Sequence, residues 1–263
     1  MSAQSVTDRR QAELWRHLEM VMDPELDESV VSMGFVEKAE IEADDSITVE
    51  FRLPTYWCSP NFVFLMLDDI RREMGRLSWQ PTYQIMLLDH VMGAEINTAL
   101  AAGRKFDDIA GQLAPDADIA ELREIFAMKA FKCRQEAVLL ALCTLGIADQ
   151  EIVALSGVAL ERLVFVYDEL KNNVSRYREA FKRRFPEALE NSSTFLTWEG
   201  ELVPEDGFQI YLKKLRSVRI NMEFNGALCR GLKQSRYQGA VFDGDEPQLA
   251  DFIQGAVPSR CKS

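Results

Sequence analysis

The hydrophobic pattern of the sequence changes near residue 89, and this change restricts the fold more than any other feature. Before it, segments with the two-residue period of strands stand between segments of helical period; after it, every patterned segment has the helical period. The pattern therefore predicts an α+β fold. We expect a small mixed α/β domain over residues 1–90, a mostly helical domain over 91–236, and a loosely structured C-terminal tail over 237–263 that is rich in glycine and proline.

The first ninety residues predict the element order α-β-β-α-β. The second helix of this order is expected to begin at Ser59-Pro60, because serine is a good N-cap and proline lacks an N–H that the first helical turn leaves unbonded. The predicted elements are a helix over 8–22, strands over Val30–Ile41 and Ser46–Leu53, a helix over 60–77 and a strand over Pro81–Leu88. Further helices are predicted near 91–102, 118–145, 149–156, 158–184 and 206–235.

Composition excludes several classes of protein. The net charge of −12 argues against general binding to the phosphate backbone of nucleic acids. The longest apolar runs are far shorter than the ~20 residues that a membrane-spanning helix needs, and the N-terminus is polar. We therefore expect a cytoplasmic protein that binds neither nucleic acid nor membrane.

The cysteines are scattered, without the paired spacing of a structural zinc or iron–sulfur cage. With His17 and His90 as the only histidines, an imidazole-rich metal site is excluded as well. In a chain of this kind the cysteines are expected to be reduced thiols. They are Cys58, Cys133, Cys143, Cys229 and Cys261.

Cys58 is the residue most suited to chemistry. It is predicted to lie in the loop between the second strand and the second helix, just before the helix N-terminus, where free N–H groups and the helix dipole favour an anion. A thiolate held there suits soft metals or persulfide chemistry. The alternative is that Cys58 is a small apolar side chain, flanked by Tyr56 and Trp57, without a chemical role.

Two blocks of the sequence resemble the PaaD-like metal–sulfur cluster assembly family. One is Met22-Asp23-Pro24-Glu25 followed by residues 30–36, and the other is Thr55-x-x-Cys58-x-Pro60. The second departs from the family pattern because Ser59 separates the cysteine from the proline, and in the first Phe35 stands where leucine is usual. The resemblance covers roughly residues 10–90.

This resemblance implies a part in iron–sulfur cluster assembly or delivery. It implies that Cys58 is the functional thiol and a metal ligand, and that Asp23, Glu25 and Thr55 support it. An ordinary turn with a solvated carboxylate is the alternative for Asp23 and Glu25. One thiol and two carboxylates cannot close a metal site, so we expect no stably bound cofactor, only transient iron or a transient cluster; a homodimer is left open.

The segment 53–62 and the helical half that begins Asp89-His90-Val91 are similar to accessory proteins encoded beside bacterial binuclear-iron monooxygenases of the propane-oxidising type. That similarity implies a maturation factor rather than an enzyme, with a client metalloprotein as partner. A chaperone-like interaction module with an inert Cys58 is the alternative. An enzyme with a cysteine nucleophile is disfavoured, because only His17 and His90 could serve as its imidazole base and no phosphate-binding loop or serine elbow is present.

Three other patterns have functional and structural interpretations. His90 with Asp89 and Glu95 could hold a hard metal, but a hinge in which His90 bonds backbone is favoured. The segment Gln135–Leu170 has the spacing of a helix-turn-helix, but its last helix is apolar and acidic and is expected in a core. A basic stretch over 171–236 forms either solvated helix faces or a docking surface for an acidic partner or for the acidic N-terminal domain of the same chain. The partner-binding candidates in it are Arg183, Arg184, Lys213 and Lys214.

Overall fold

The computed structural model describes residues 3–104 and 119–237 of the chain. Its contacts divide these residues into two compact units. Residues 3–104, 119–122 and 225–237 belong to the first unit, and residues 123–224 belong to the second. The predicted tail lies outside the described residues from position 238 onward.

The first unit is built on a three-stranded sheet with a helix crossover. Strand β3 pairs antiparallel with β4, and β4 pairs parallel with β5, in the order β3-β4-β5. Parallel neighbours need a crossover, and α2 supplies it. The elements are α1 (Ala3–Glu19), β1 (Met22–Asp23), β2 (Glu28–Ser29), β3 (Val36–Ile41), β4 (Ile47–Arg52), α2 (Pro60–Met74), β5 (Tyr83–Leu88) and α3 (Gly93–Ala101).

The alternation of buried and half-buried side chains along β4 shows which face of the sheet packs against the core of this unit. Ile47, Val49 and Phe51 are buried while their neighbours are half-buried. Helix α2 covers this face with a continuous apolar stripe, and Leu14 and Leu18 of α1 close the same core. The α+β class and the α-β-β-α-β order predicted from the sequence are therefore confirmed.

Among the boundaries that differ from the predictions, two affect the segment between α1 and β3. The first strand begins at Val36 and not at Val30, because residues 30–34 form turns in which the Phe35 N–H donates to the Val30 carbonyl and Gly34 takes a positive φ of 68°. Helix α1 ends at Glu19, and the segment after it forms a two-residue antiparallel ribbon of β1 and β2. The hydrophobic pattern did not reveal this ribbon because its strands are too short to show a period.

The second unit is helical, and its core is aromatic. Phe131, Tyr177 and Phe195 are completely buried in it, with the rings of Tyr177 and Phe195 stacked at 5.6 Å. Its elements are α4 (Ile119–Thr144, which begins in the first unit), α5 (Asp149–Ala154), α6 (Gly157–Val166), a 3₁₀ turn (Asp168–Leu170), α7 (Lys171–Arg184) and α8 (Phe208–Tyr237, whose residues 225–237 belong to the first unit).

The predicted helix over 158–184 is two helices. Helix α6 ends at Val166 because Tyr167 is extended, and the 3₁₀ turn then leads into α7. In α6, Leu160 is buried but Phe165 is 93% exposed. The expectation that this helix lies in a core is therefore correct only for its first part. That the protein does not bind DNA stays a prediction.

The contacts group the chain differently from the domain boundaries predicted at residues 90 and 236. Helix α3 packs on β5, where the Asn97 side chain accepts from the Leu87 N–H at 2.8 Å and donates to the Leu87 carbonyl at 2.9 Å. The last turns of α8 belong to the first unit, where Arg230 bonds Glu28 and Lys233 bonds Glu37. Among the described residues, no helix combines the length and apolar character that crossing a bilayer requires.

We expect Asn97→Ala to destabilise the first unit by about 1–2 kcal/mol, because both backbone groups of Leu87 lose their side-chain partner. The urea midpoint of unfolding measures this. Thr98→Ala is the matched control: its hydroxyl bonds only the Ala94 carbonyl of its own helix, and it is exposed. Equal destabilisation by the two variants would contradict the role assigned to the Asn97 clamp.

Candidate functional site around Cys58

Cys58 lies where the sequence predicted it, in the loop between β4 and α2. Helix α2 begins at Pro60, and the Ser59 carbonyl accepts the N–H groups of Phe62 and Val63 at its first turn. The Ser59 side chain makes no capping hydrogen bond. Cys58 is half-buried beside this positive end of the helix dipole.

Thr55 is buried in the same loop, and its hydroxyl hydrogen-bonds the thiol. The Thr55 Oγ1 atom lies 3.1 Å from Cys58 Sγ. A hydroxyl can donate to a thiolate and accept from a thiol, so this contact can persist when the proton leaves. The structure thus brings Thr55 and Cys58, which belong to the same sequence block, into contact.

His90 holds the backbone of the Cys58 loop. Its Nδ1 accepts the Met92 N–H at 3.2 Å, which leaves Nε2 as the protonated nitrogen that donates to the Cys58 carbonyl at 2.8 Å. Next to it, the Val91 N–H donates to the Tyr56 carbonyl at 2.7 Å. His90 therefore bonds backbone through both ring nitrogens, as its favoured interpretation expected. Glu95 lies exposed in the first turn of α3 and does not bond His90.

Asp23 is a buried carboxylate, and not the solvated carboxylate that the alternative interpretation expected. Its Oδ1 atom accepts the N–H groups of Glu25 at 2.9 Å and Leu26 at 3.1 Å. Burial raises the pKa of Asp23 to about 6, although these two hydrogen bonds act in the opposite direction. Glu25 is half-buried and accepts a hydrogen bond from the Asn225 amide at 3.3 Å. Asp23 thus holds the backbone of the loop between β1 and β2, and Glu25 bonds helix α8.

A second cysteine of the first unit, Cys229, packs against the same core, and the sequence did not indicate this. It lies on α8, in the part that belongs to the first unit, and packs half-buried against the same hydrophobic core as Cys58. Burial raises the pKa of the Cys229 thiol to about 11, with further contributions from Asp23, Cys58 and Glu25. Cys229 was missed because no short-range spacing connects it to Cys58. The return of the last helix to the first unit connects them.

The residues of this site do not form a closed metal cage by themselves. In the chain from 3 to 104 and from 119 to 237, no group of three or more His, Cys, Asp or Glu side chains is arranged to hold a metal ion.

The four basic candidates for partner binding do not share one environment. Arg183 is exposed and pairs with Glu179 on the preceding turn at 2.9 Å. Arg184 instead donates to the Trp198 carbonyl at 3.1 Å and stacks over the Trp198 ring at 4.6 Å, which makes it part of the packing of the second unit. Lys213 and Lys214 are exposed on α8.

Comparison with known proteins supports the resemblance of the N-terminal part of the chain to an iron–sulfur cluster assembly family. Residues 11–82 match the family model described as "Iron-sulfur cluster assembly protein". This segment runs from α1 to the residue before β5 and contains Asp23, Glu25, Thr55 and Cys58. No curated protein and no solved structure matches the chain. An assembly-family domain at 11–82 supports a role related to iron–sulfur cluster assembly.

Proposed function

We propose that the chain is a non-catalytic maturation factor for iron–sulfur clusters or iron centres, in which Cys58 carries the iron or cluster transiently. The observation that supports this most is the assembly-family domain at 11–82, whose loop holds Cys58 at the start of α2. Neither a resident cofactor nor a catalytic base is part of the proposal.

The surroundings of Cys58 suit a thiol that binds and releases its cargo. Cys58 lies in the loop just before α2, its thiol contacts the Thr55 hydroxyl at 3.1 Å, and a cysteine thiol is a ligand that suits soft metals. Sites that keep a metal permanently present a full set of protein ligands, which the described residues lack. A carrier with open ligand positions can pass its metal to a client that supplies the missing ligands.

Exposed apolar side chains next to Cys58 would meet the client. Tyr56 is 45% exposed, and Trp57 and Val91 are each 63% exposed, on two loops that the Val91–Tyr56 hydrogen bond ties together. Exposed aromatic side chains of this kind are typical of interaction surfaces. In the second unit, Arg183, Lys213 and Lys214 offer exposed charge for the same client, which we propose to be a component of a binuclear-iron monooxygenase.

We expect Cys58→Ser to abolish cluster transfer, because serine is a poor ligand for soft iron–sulfur cargo. The protein is loaded anaerobically with iron and sulfide, and transfer to an apo-ferredoxin is followed by circular dichroism. Thr55→Val should slow transfer by about tenfold, while Thr55→Ser, which keeps the hydroxyl, should not. Cys143→Ser, a free half-buried cysteine of the second unit, is the control.

The same variants test the proposed client when they are expressed with a binuclear-iron monooxygenase and its activity is measured. Normal transfer and normal activity with Cys58→Ser would contradict the proposal. They would support the second candidate, a chaperone-like interaction module with an inert Cys58. The exposure of Tyr56 and Trp57 favours that candidate, which predicts loss of activity from Trp57→Ala and none from Cys58→Ser.

A further inference from the structure

The residues that follow β5 form a brace along the loop that carries Cys58. Asp89 takes a positive φ of 49°, a conformation that aspartate adopts more readily than most residues, and the chain bends there. His90 Nε2 then donates to the Cys58 carbonyl at 2.8 Å. The Val91 N–H donates to the Tyr56 carbonyl at 2.7 Å. This brace therefore bonds two carbonyls of the loop.

Arg236, in the last turn of α8, contacts both the brace and the loop. Its guanidinium pairs with the Asp89 carboxylate at 2.8 Å and lies over the Tyr56 ring, 5.3 Å from the ring centroid. The Arg236 side chain is only 29% exposed, so both contacts are partly shielded from solvent. One side chain thus ties Asp89 of the brace to Tyr56 of the loop.

The other basic side chains at this end of α8 reach a different part of the first unit. Arg230 pairs with Glu28 of β2 at 2.7 Å. Lys233 pairs with Glu37 of β3 at 3.0 Å. Arg230 is therefore a matched comparison for Arg236, because it is the same residue type on the same helix with an acidic partner in the same unit.

We infer that Arg236 is a positioning residue for Cys58. Its contacts with Asp89 and Tyr56 hold the loop in the conformation in which the thiol meets the Thr55 hydroxyl. Arg236 acts on the thiol through the loop that it contacts. This inference rests on the proposed function, because it concerns the thiol to which that function assigns the cargo.

The reactivity of Cys58 reports how firmly the loop is held. A half-buried thiol is alkylated mainly when the segment around it opens, so its alkylation rate follows the population of open loop. Losing an ion pair and a cation–π contact together should raise that population about fivefold. The thiol itself is unchanged in such a variant.

Alkylation of the full chain with iodoacetamide tests the inference, with each cysteine quantified over time by peptide mass spectrometry. Arg236→Met should speed the alkylation of Cys58 about fivefold and leave that of Cys229 unchanged. Arg230→Met is the matched control and should leave the Cys58 rate unchanged. Equal Cys58 rates in the wild type and Arg236→Met, or the same rise with Arg230→Met, would overturn the inference.

Cys229 reports a general loosening of the unit within the same experiment. It lies on α8 beside Arg230 and one turn before Lys233, whose contacts Arg236→Met leaves in place. A rise at Cys229 equal to the rise at Cys58 would mean that the whole end of the helix has come loose. That outcome also overturns the inference.

Replacing Asp89 tests the same contact from its other end. Asp89→Asn removes the charge, and asparagine tolerates the positive φ at this position. It should speed the alkylation of Cys58, and the double variant with Arg236→Met should react no faster than Arg236→Met alone, because the ion pair is already lost. Arg236→Lys, which keeps the charge, should lie between the wild type and Arg236→Met. Effects that simply add in the double variant, or no recovery with lysine, would overturn the inference.

Failure of the inference and failure of the proposed function give different results. If Cys58→Ser stops cluster transfer while Arg236→Met is alkylated like the wild type, the role of Cys58 stands and that of Arg236 is overturned. If Arg236→Met exposes Cys58 as expected while Cys58→Ser still supports transfer, Arg236 positions the loop and the maturation role of Cys58 is wrong.

Discussion

Asp23→Asn should raise the free energy of unfolding at pH 7 by about 2–3 kcal/mol, since one unit of pKa corresponds to about 1.4 kcal/mol. The reason is the burial of a carboxylate whose pKa rises to about 6 from a usual value of 3.8. Asparagine has nearly the same shape and keeps an oxygen that can accept the Glu25 and Leu26 N–H groups. It carries no charge to desolvate.

The direction of the pH dependence follows from proton binding. Between pH 3.8 and about 6 the folded state holds the Asp23 proton more tightly than the unfolded chain does. Stability from this group is therefore greatest at low pH and is lost as the pH rises through about 6. The wild type should lose this stability over that range relative to Asp23→Asn, in which the contribution is absent.

Urea denaturation of both proteins at pH 4, 5, 6 and 7 measures the difference. Asp44→Asn is the control, because Asp44 is exposed and its hydrogen bonds from Ser46 lower its pKa. Its replacement should not raise stability at pH 7. A stability difference between wild type and Asp23→Asn that does not change with pH would contradict the assignment of the pKa shift to Asp23.

Arg219→Met should destabilise the second unit by about 3 kcal/mol, because it leaves a buried carboxylate without its main partner. Glu136 is completely buried, and Arg219 Nε donates to its Oε2 atom. The other oxygen of Glu136 has no hydrogen bond and lies 3.9 Å from Arg216 Nε. Arg219 therefore provides the hydrogen bond that compensates this buried charge.

A double replacement distinguishes the net contribution of the Arg219–Glu136 ion pair from the cost of leaving Glu136 without a partner. Arg219→Met with Glu136→Met removes both charges and should recover most of the lost stability, since apolar side chains can replace a buried ion pair. Glu223→Gln is the control for the exposed contact of Arg219 with Glu223 at 2.8 Å and should change stability by less than about 1 kcal/mol. Urea midpoints measure all three. A double variant no more stable than Arg219→Met would contradict this account.

Several parts of the fold and the site could be predicted from local sequence. The alternation of Ile47, Val49 and Phe51 predicted β4, because side chains on a strand point to opposite faces with a period of two. Ser59-Pro60 predicted the start of α2, because the preference for these residues is a property of the helix end alone. The position of Cys58 follows from both.

Other parts depended on contacts that local sequence does not encode. The break at Tyr167 and the turns over 30–34 replaced predicted regular structure, because the same apolar pattern is compatible with a continuous helix or strand. Arg184, one of the partner-binding candidates, stacks on Trp198, a residue outside its helix. In each case the pattern gave the element type, and packing chose its length or its neighbour.

By itself, the sequence determined the α-β-β-α-β order and the loop that presents Cys58 together with Thr55. These depend on residues near one another in the chain. Only the tertiary structure decided that Asp23 is buried and that Cys229 joins the core on which Cys58 packs. The physical reason is that burial and long-range charge contacts, such as Arg230 with Glu28, exist only after α8 has returned to the first unit.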